Sequence, residues 1–283
     1  METVRISKKQ LFIILIFLII FSAISFLVYF FIRNLDQRTT LVFCNVGQGD
    51  AAYLRIKNKI DVLIDAGPDK SILSCLGKYM PFWDKKIELA FLSHPNKDHY
   101  QGFYFINDRY KIDYFITIDS PFISQAYKNL LEKLQKKQVT ILKKFTDDQI
   151  KIDNDLFWFF WPDKDFVSKD DNDYSHLLLF QENDFKVLFT GDASQKILNL
   201  LANQTQINFL KNVNIIKIPH HGSKNGMNQK FLQIIRPQIA VISVGKNNSY
   251  GHPAKEVLDL LEALKIITKR TDKDGDVVFK LKN

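Results

Sequence analysis

Cysteine is nearly absent: Cys44 and Cys75 are the only two in 283 residues, and neither belongs to a C-x-x-C pair. That excludes a disulfide-built scaffold and a thiolate zinc site. The two thiols are read as core residues, with a single pairing between them left open. Long repeats and low-complexity tracts are also missing, which excludes a repeat array. No large charge excess of one sign exists either: the formal net charge is +8, and leaving out residues 1–40, with five basic and two acidic side chains, lowers it to +5. Such a balance favours polyanionic partners only weakly, and a lysine-rich solvated surface accounts for it equally well. What is abundant is apolar: 46% hydrophobic and 13% aromatic residues, with 24 Phe, indicate a globular protein with a thick interior.

Charge is wholly absent from Leu11 to Ile32, 22 consecutive residues rich in Ile, Leu and Phe. As a helix this run spans roughly 33 Å at 1.5 Å per residue, enough for a hydrocarbon core of about 30 Å. No small-residue cleavage site follows it at Phe31-Ile32-Arg33-Asn34, so the run reads as an uncleaved signal anchor. Arg5, Lys8 and Lys9 precede it and Arg33 and Arg38 follow. A margin of one charge places the N-terminus inside. The expected organisation is an N-terminal cytoplasmic segment (1–10), a transmembrane anchor (11–32), a linker (33–40) and one extracytoplasmic domain (41–283), giving a single-pass protein of the cell membrane.

Within that domain strands and helices interleave. Strands are expected at Leu41–Val46, Ala51–Ile56, Ile60–Ile64, Leu89–Leu92, Tyr114–Ile118, Val139–Leu142 and Asp155–Trp161. A second half continues with Leu177–Phe180, Phe185–Phe189, Val213–Ile218, Ile239–Val244 and Val277–Leu281. Helices are expected over 72–79, 124–136, 195–203, 229–235 and 254–263. Two such halves suggest two sheets packed face to face with helices outside. A doubly wound parallel sheet is the alternative, but the hairpins near residues 51–64 and 177–189 argue for mixed sheets.

Histidine is scarce, and its placement is informative. Of six, all but His176 follow the end of an apolar run: His94 and His99 in Ser93-His94-Pro95-Asn96-Lys97-Asp98-His99, His220 and His221 after Ile218-Pro219, and His252 after Tyr250-Gly251. Asp65, Asp98 and Asp192 sit at strand ends too. Imidazoles and carboxylates on loops from several strand ends are what a borderline cation such as zinc requires. His176 fits a packing role better. The aromatic run Phe103-Tyr104-Phe105 reads as buried structure rather than a base-stacking surface.

The motifs His94-Pro95-Asn96-Lys97-Asp98-His99, Phe189-Thr190-Gly191-Asp192 and His220-His221-Gly222-Ser223, in this order, resemble the metallo-β-lactamase superfamily. Five further stretches narrow the likeness: Asn45-Val46-Gly47-Gln48-Gly49-Asp50-Ala51, Asp65-Ala66-Gly67, Asn172-Asp173-Tyr174-Ser175, Tyr250-Gly251-His252-Pro253 and Arg270-Thr271-Asp272. They resemble the hydrolase domain of ComEC-type DNA-internalisation competence proteins, over about residues 41–283. The resemblance implies an α+β fold, a four-layered αβ/βα sandwich of two mixed β-sheets preceded here by one transmembrane helix. It implies His94 on one metal ion, Asp98 and His99 on the other, and Asp192 bridging. His220 or His221 completes the second site, and neighbours at a strand end point oppositely, so only one is expected to ligate. Asp65 orients the metal loop by hydrogen bonds, His252 and Ser223 lie near substrate, and Asp98 and His252 are the candidate catalytic groups.

Three departures from the pattern matter. Asn96 stands where the superfamily has His or Asp, and offers only a neutral carbonyl oxygen. The segment Asn172–Ser175 stands where many members place a further histidine. Gln101 replaces a glycine, with Gly102 next to it. The expectation is therefore one well-held ion, Zn²⁺ or Mn²⁺, at the Asp98/His99 site and a second that is weak or arrives with substrate. The resemblance implies metal-assisted hydrolysis of phosphodiesters in DNA, beside a separate channel protein, because one membrane helix leaves no room for a channel here. The alternatives are hydrolysis of another phosphoester, and a catalytically silent, metal-stabilised domain that binds DNA or a partner.

Overall fold

The computed structural model describes residues 7–35 and 38–281; the remaining ends of the expected cytoplasmic segment and linker (1–6, 36–37) and residues 282–283 lie outside the described residues. Helix α1 (Lys8–Leu35) is longer than the charge-free run. Among the described residues it is the one helix long and apolar enough to cross a membrane, and none of that stretch is packed against the rest of the chain.

The first sheet holds β1 (Thr39–Phe43), β2 (Ala51–Ile56), β3 (Ile60–Ala66), β4 (Lys86–Phe91), β5 (Lys111–Thr117) and β6 (Thr140–Lys143). The second holds β7 (Gln149–Ile152), β8 (Asp155–Trp161), β9 (Leu177–Glu182), β10 (Phe185–Phe189), β11 (Ile215–Lys217), β12 (Ile239–Ile242) and β13 (Ile267–Arg270), while β14 (Val277–Leu281) returns to the first. The spatial orders are β14-β1-β2-β3-β4-β5-β6 and β13-β12-β11-β10-β9-β8-β7. In each sheet antiparallel pairing on one side gives way to parallel pairing on the other. Both sheets are mixed, and the doubly wound parallel alternative is excluded.

Facing sides of the two sheets share one apolar layer built from Phe43, Phe91, Phe157, Phe159, Phe180 and Phe189. Its rings meet at 5.0 Å for Phe91 with Phe157 and for Phe157 with Phe180. Two further cores lie outside. Helices α2 (Ile72–Tyr79), α3 (Lys97–Tyr100), α4 (Gly102–Arg109) and α5 (Gln125–Lys136) cover the first sheet, and α6 (Gln195–Leu201), α7 (Gln229–Ile235) and α8 (Lys255–Ala263) cover the second. A short α9 (Thr271–Asp274) precedes β14. The result is the four-layered sandwich expected from the sequence.

The run 97–109 forms α3 and α4, with Phe103 fully buried, in line with the reading of that aromatic run as buried structure. Strands β7 and β13 were not foreseen, because each is a short, half-exposed edge strand with charged side chains. Cys44 and Cys75 are joined, Cα atoms 5.9 Å apart, tying the end of β1 to α2; both are also buried, so packing and pairing coincide.

Candidate metal centre

The site grows from Asp65, at the end of β3, which adopts a left-handed backbone (φ 57°). Its carboxylate accepts hydrogen bonds from the Ser93 backbone N–H (2.7 Å), the Ser93 hydroxyl (2.8 Å) and His99 Nδ1 (2.9 Å). Because the Ser93 proton goes to Asp65, Ser93 Oγ must accept from His94 Nδ1 at 3.0 Å. Both imidazoles thus present Nε2 inward, and both Nε2 atoms are buried without a hydrogen-bond partner. Asp65 therefore ties Ser93 and His99 of this loop together. Two glycines let the loop close: a Cβ at Gly102 would fall 1.9 Å from the Ala66 carbonyl oxygen, and one at Gly49 would fall 2.4 Å from that of Asp98. Gly102 thus supplies the close approach that Gln101 cannot.

The second sheet completes the cluster. Asp192 follows β10, its N–H held by Ser175 Oγ at 3.0 Å. His220 and His221 lie in a short 3₁₀ turn, both with left-handed φ (49° and 54°), so they do not alternate as neighbours in a strand would. His221 donates Nδ1–H to the Ser243 carbonyl (3.0 Å) and aims Nε2 at Asp98 (3.1 Å) and Asp192 (3.5 Å). His99 Nε2 lies 3.4 Å from Asp192. Ligand atoms of Asp98, His99, Asp192 and His221 all fall within 4.8 Å of one another. The pair left open by the sequence divides here: His221 is in the group, while His220 stays at the rim, its Nε2 3.9 Å from Asp192. His94 sits beside the group, its ring 4.3 Å from that of His99.

Two members of the site escaped sequence reading. Lys217, the last residue of β11, is 3% exposed. Its ammonium pairs with the Asp50 carboxylate, lies 3.5 Å from Asp192, and donates to the Gly191 carbonyl at 2.7 Å. Asp50, in the turn after Gly47-Gln48-Gly49, also lies 3.3 Å from His221 Nδ1. The available signal was a lysine inside the apolar run Ile215-Ile216-Lys217-Ile218, since a buried ammonium demands a buried carboxylate.

Charge and unfilled hydrogen-bonding capacity fit a cation. Asp50, Asp65, Asp98 and Asp192 converge on one fixed positive charge, Lys217. Besides the two histidine Nε2 atoms, Asp50 Oδ1 and Asp192 Oδ1 are buried without hydrogen-bond partners. Burial depresses the imidazoles of His94, His99 and His221, and carboxylates decide the outcome. Asp192 and Asp50 overcome burial and lift His221 to about 10, and His99 is raised well above the usual range by Asp192 and Asp98. His94, where burial and His99 dominate, falls to about 3. Against their own burial, Asp98 is held below the usual carboxylate range, chiefly by His99, and Asp192 far below it, chiefly by His221. A divalent ion replacing the protons on His99 and His221 suits this donor set of imidazoles and carboxylates, for which Zn²⁺ and Mn²⁺ are both chemically suitable.

The remaining expected residues lie around the cluster. Asn96 donates Nδ2–H to Asn172 Oδ1 at 3.2 Å, so the two departures from the superfamily pattern meet as an amide pair. Ser223 is buried, and its hydroxyl accepts from the Asn225 N–H to cap the next turn. His252 is half-buried, with ring centroids 5.8 Å from His220 and 5.9 Å from Tyr250, forming an aromatic rim. His176 is buried away from the group, bonded to the Lys144 carbonyl (3.0 Å) and packed edge-on to Phe159, as the packing expectation held.

No family model matches the chain. It is 28% identical over 260 residues to the ComE operon protein 3 of Bacillus subtilis, covering 84% of this chain and 32% of that protein. It is 33% identical over 112 residues to the competence protein ComA of Neisseria gonorrhoeae, covering 40% of this chain and 16% of that one. The chain thus spans about a third or less of the length of these relatives. The metallo-β-lactamase-fold protein YhfI of Bacillus subtilis superposes with a TM-score of 0.58 at 13% identity, covering 86% of this chain and all of that one.

Proposed function

We propose that this chain, which has the metallo-β-lactamase fold and competence proteins among its relatives, is a membrane-anchored, metal-dependent phosphodiesterase that acts on DNA in competence-related uptake. The observation that carries the hydrolase reading is the convergence of four carboxylates and three buried imidazoles on a single fixed cation at one edge of the paired sheets. Asp98, His99, Asp192 and His221 would hold one ion. His94 would serve a second with less help, because Asn96 and Asn172 contribute only neutral amides.

A divalent ion held there supplies hydroxide near neutral pH and a Lewis acid for a phosphoryl oxygen. The chain's own groups do the rest. Asp98 has the most exposed carboxylate of the cluster, 36%, so it faces incoming substrate and can hold a water or take its proton. His221, locked by the Ser243 carbonyl through Nδ1, holds its Nε2 3.1 Å from the Asp98 carboxylate, so the two groups are placed to share one ion. His252 is depressed by burial and by His220 and His221, which leaves a neutral imidazole at the rim for substrate contact.

In this reading α1 spans the membrane, residues 41–283 form the hydrolase domain on the extracytoplasmic side, and a separate protein supplies any DNA channel. The Cys44–Cys75 bond supports an oxidising compartment, since such bonds persist there and are rare in the cytosol. The test is cleavage of single- and double-stranded DNA by the full chain in detergent, stripped by chelator and reloaded with Zn²⁺ or Mn²⁺, beside Asp98→Ala. Metal-dependent cleavage lost in the variant is the expected result. Hydrolysis of bis-p-nitrophenyl phosphate without DNA cleavage would point to a smaller or lipid-linked phosphoester. Metal binding with neither activity would leave a silent binding domain.

A further inference from the structure

The loop between α2 and β4 carries an aromatic pair that the hydrolase reading does not use. Phe82 is 80% exposed and Trp83 46%, their rings edge to face with centroids 4.8 Å apart. Outside α1, only Val167 among the described large apolar residues is more exposed than Phe82. Leaving two aromatic rings side by side in water is unfavourable, and such patches mark contact surfaces.

Their position identifies the contact. Asp84 N–H closes a turn onto Pro81 O (2.9 Å), and the Asp84 carboxylate meets Arg55 Nη1 at 3.1 Å. Arg55 also pairs with Asp61 and donates to the Asn58 carbonyl at 2.8 Å. In the sheet Arg55 lies opposite Thr40 of β1. The aromatic pair therefore sits at the end of the first sheet where β1, β3 and β4 begin. The chain arrives at that same end from α1, with three residues between Leu35 and Thr39. Four extended steps cover at most about 14 Å. With α1 in a bilayer, this end of the domain is held at the lipid headgroups. Lys59, Lys85 and Lys111 are exposed there, and the Lys111 N–H bonds the Lys85 carbonyl at 2.8 Å.

We propose that Phe82 and Trp83 insert into the membrane interface beside α1 as a second point of attachment, with the neighbouring lysines on lipid phosphates. This rests on the anchor reading given above. An indole with one polar edge, as at Trp83, favours that depth of a bilayer, the apolar Phe82 ring beside it adds buried area, and the tether removes most of the entropy cost of reaching it. A consequence concerns the metal centre. It lies at the opposite, C-terminal ends of β1, β3 and β4, and these strands of five to seven residues separate the two ends by roughly 17–23 Å at about 3.3 Å per residue. Seated on this foot, the domain turns the cluster away from the lipid and toward polymer in the surrounding medium.

Tryptophan fluorescence of the full chain in phosphatidylcholine/phosphatidylglycerol vesicles tests this. The chain has three tryptophans, and Trp161 is buried while Trp158 packs against Phe160 and Phe209 in the second half. Subtracting the Trp83→Phe variant isolates Trp83, and an unchanged melting midpoint shows that the variant folds. The expected result is flotation of the chain with vesicles, and Trp83 emission quenched more strongly by lipids brominated near the headgroup than by deeply brominated ones. Flotation with Trp83 emission untouched by brominated lipid would overturn the second attachment while leaving the anchor intact. Failure to float would overturn the anchor, and the foot with it.

Discussion

His221 and His176 are equally buried, 2% exposed each, yet their imidazoles are displaced in opposite directions, to about 10 and about 4. Burial depresses both. His176 meets only backbone carbonyls at hydrogen-bond distance and gives way to it; His221 faces Asp192, Asp50 and Asp98 and does not. The difference teaches that the sheet edge is defined by surplus negative charge and not by depth. Such a region is held together by protons and one lysine until a stronger cation arrives. The same contrast recurs inside the cluster, where burial and the charge of His99 keep His94 neutral while Asp192 and Asp98 hold the proton on His99.

The largest effect is expected from breaking that edge at its shared carboxylate. Asp192→Ala should lower metal-dependent hydrolysis by at least about 10³-fold, the scale of several kcal/mol that metal-assisted charge stabilisation supplies; steady-state rates against metal concentration check it. Next comes Lys217→Met, which strands the Asp50 carboxylate. Loss of one partner of a buried pair costs about 3–5 kcal/mol, to be read from denaturant unfolding of the metal-free chain; a cost near zero would mean that the lysine is not the counter-charge.

The reference region is tested by His176→Phe. Its folded-state value lies below the unfolded one, so the neutral ring contributes stability that is present above about pH 6.5 and lost as pH falls toward 4. The full difference corresponds to about 3 kcal/mol at pH 4. Melting midpoints of the variant should therefore fall less steeply over that window than those of the wild type. The smallest change sharpens the contrast between the halves of the cluster: Asn96→His should tighten a second ion by about tenfold, the lower end of what a supporting-residue change does to metal affinity, measured by competition with a chromophoric chelator.

Much of this was legible in the chain. Apolar runs that end in Asp or His placed Asp65, His94, Asp98, His99, Asp192 and the His220-His221 pair at strand ends, and hairpins such as 51–56 with 60–66 identified mixed sheets. What stayed hidden depended on contacts distant in sequence. Lys217 reads as an ordinary strand residue until Asp50, 167 positions earlier, is brought to it. The choice between His220 and His221 rests on two left-handed residues that no strand alternation describes. The Cys44–Cys75 bond required knowing that α2 packs at the end of β1. Edge strands β7 and β13 were missed because their period-two pattern is short and half-solvated, and α3–α4 because their apolar residues cluster instead of repeating at helical spacing.

The most direct test is a calorimetric titration of the chelator-stripped full chain with Zn²⁺ and with Mn²⁺, beside Asp98→Ala and His221→Ala. The account predicts one tight ion, released protons on binding, a distinctly weaker second ion, and loss of the tight step in both variants. An unchanged tight step in both variants, or no metal binding by the wild type, would contradict it.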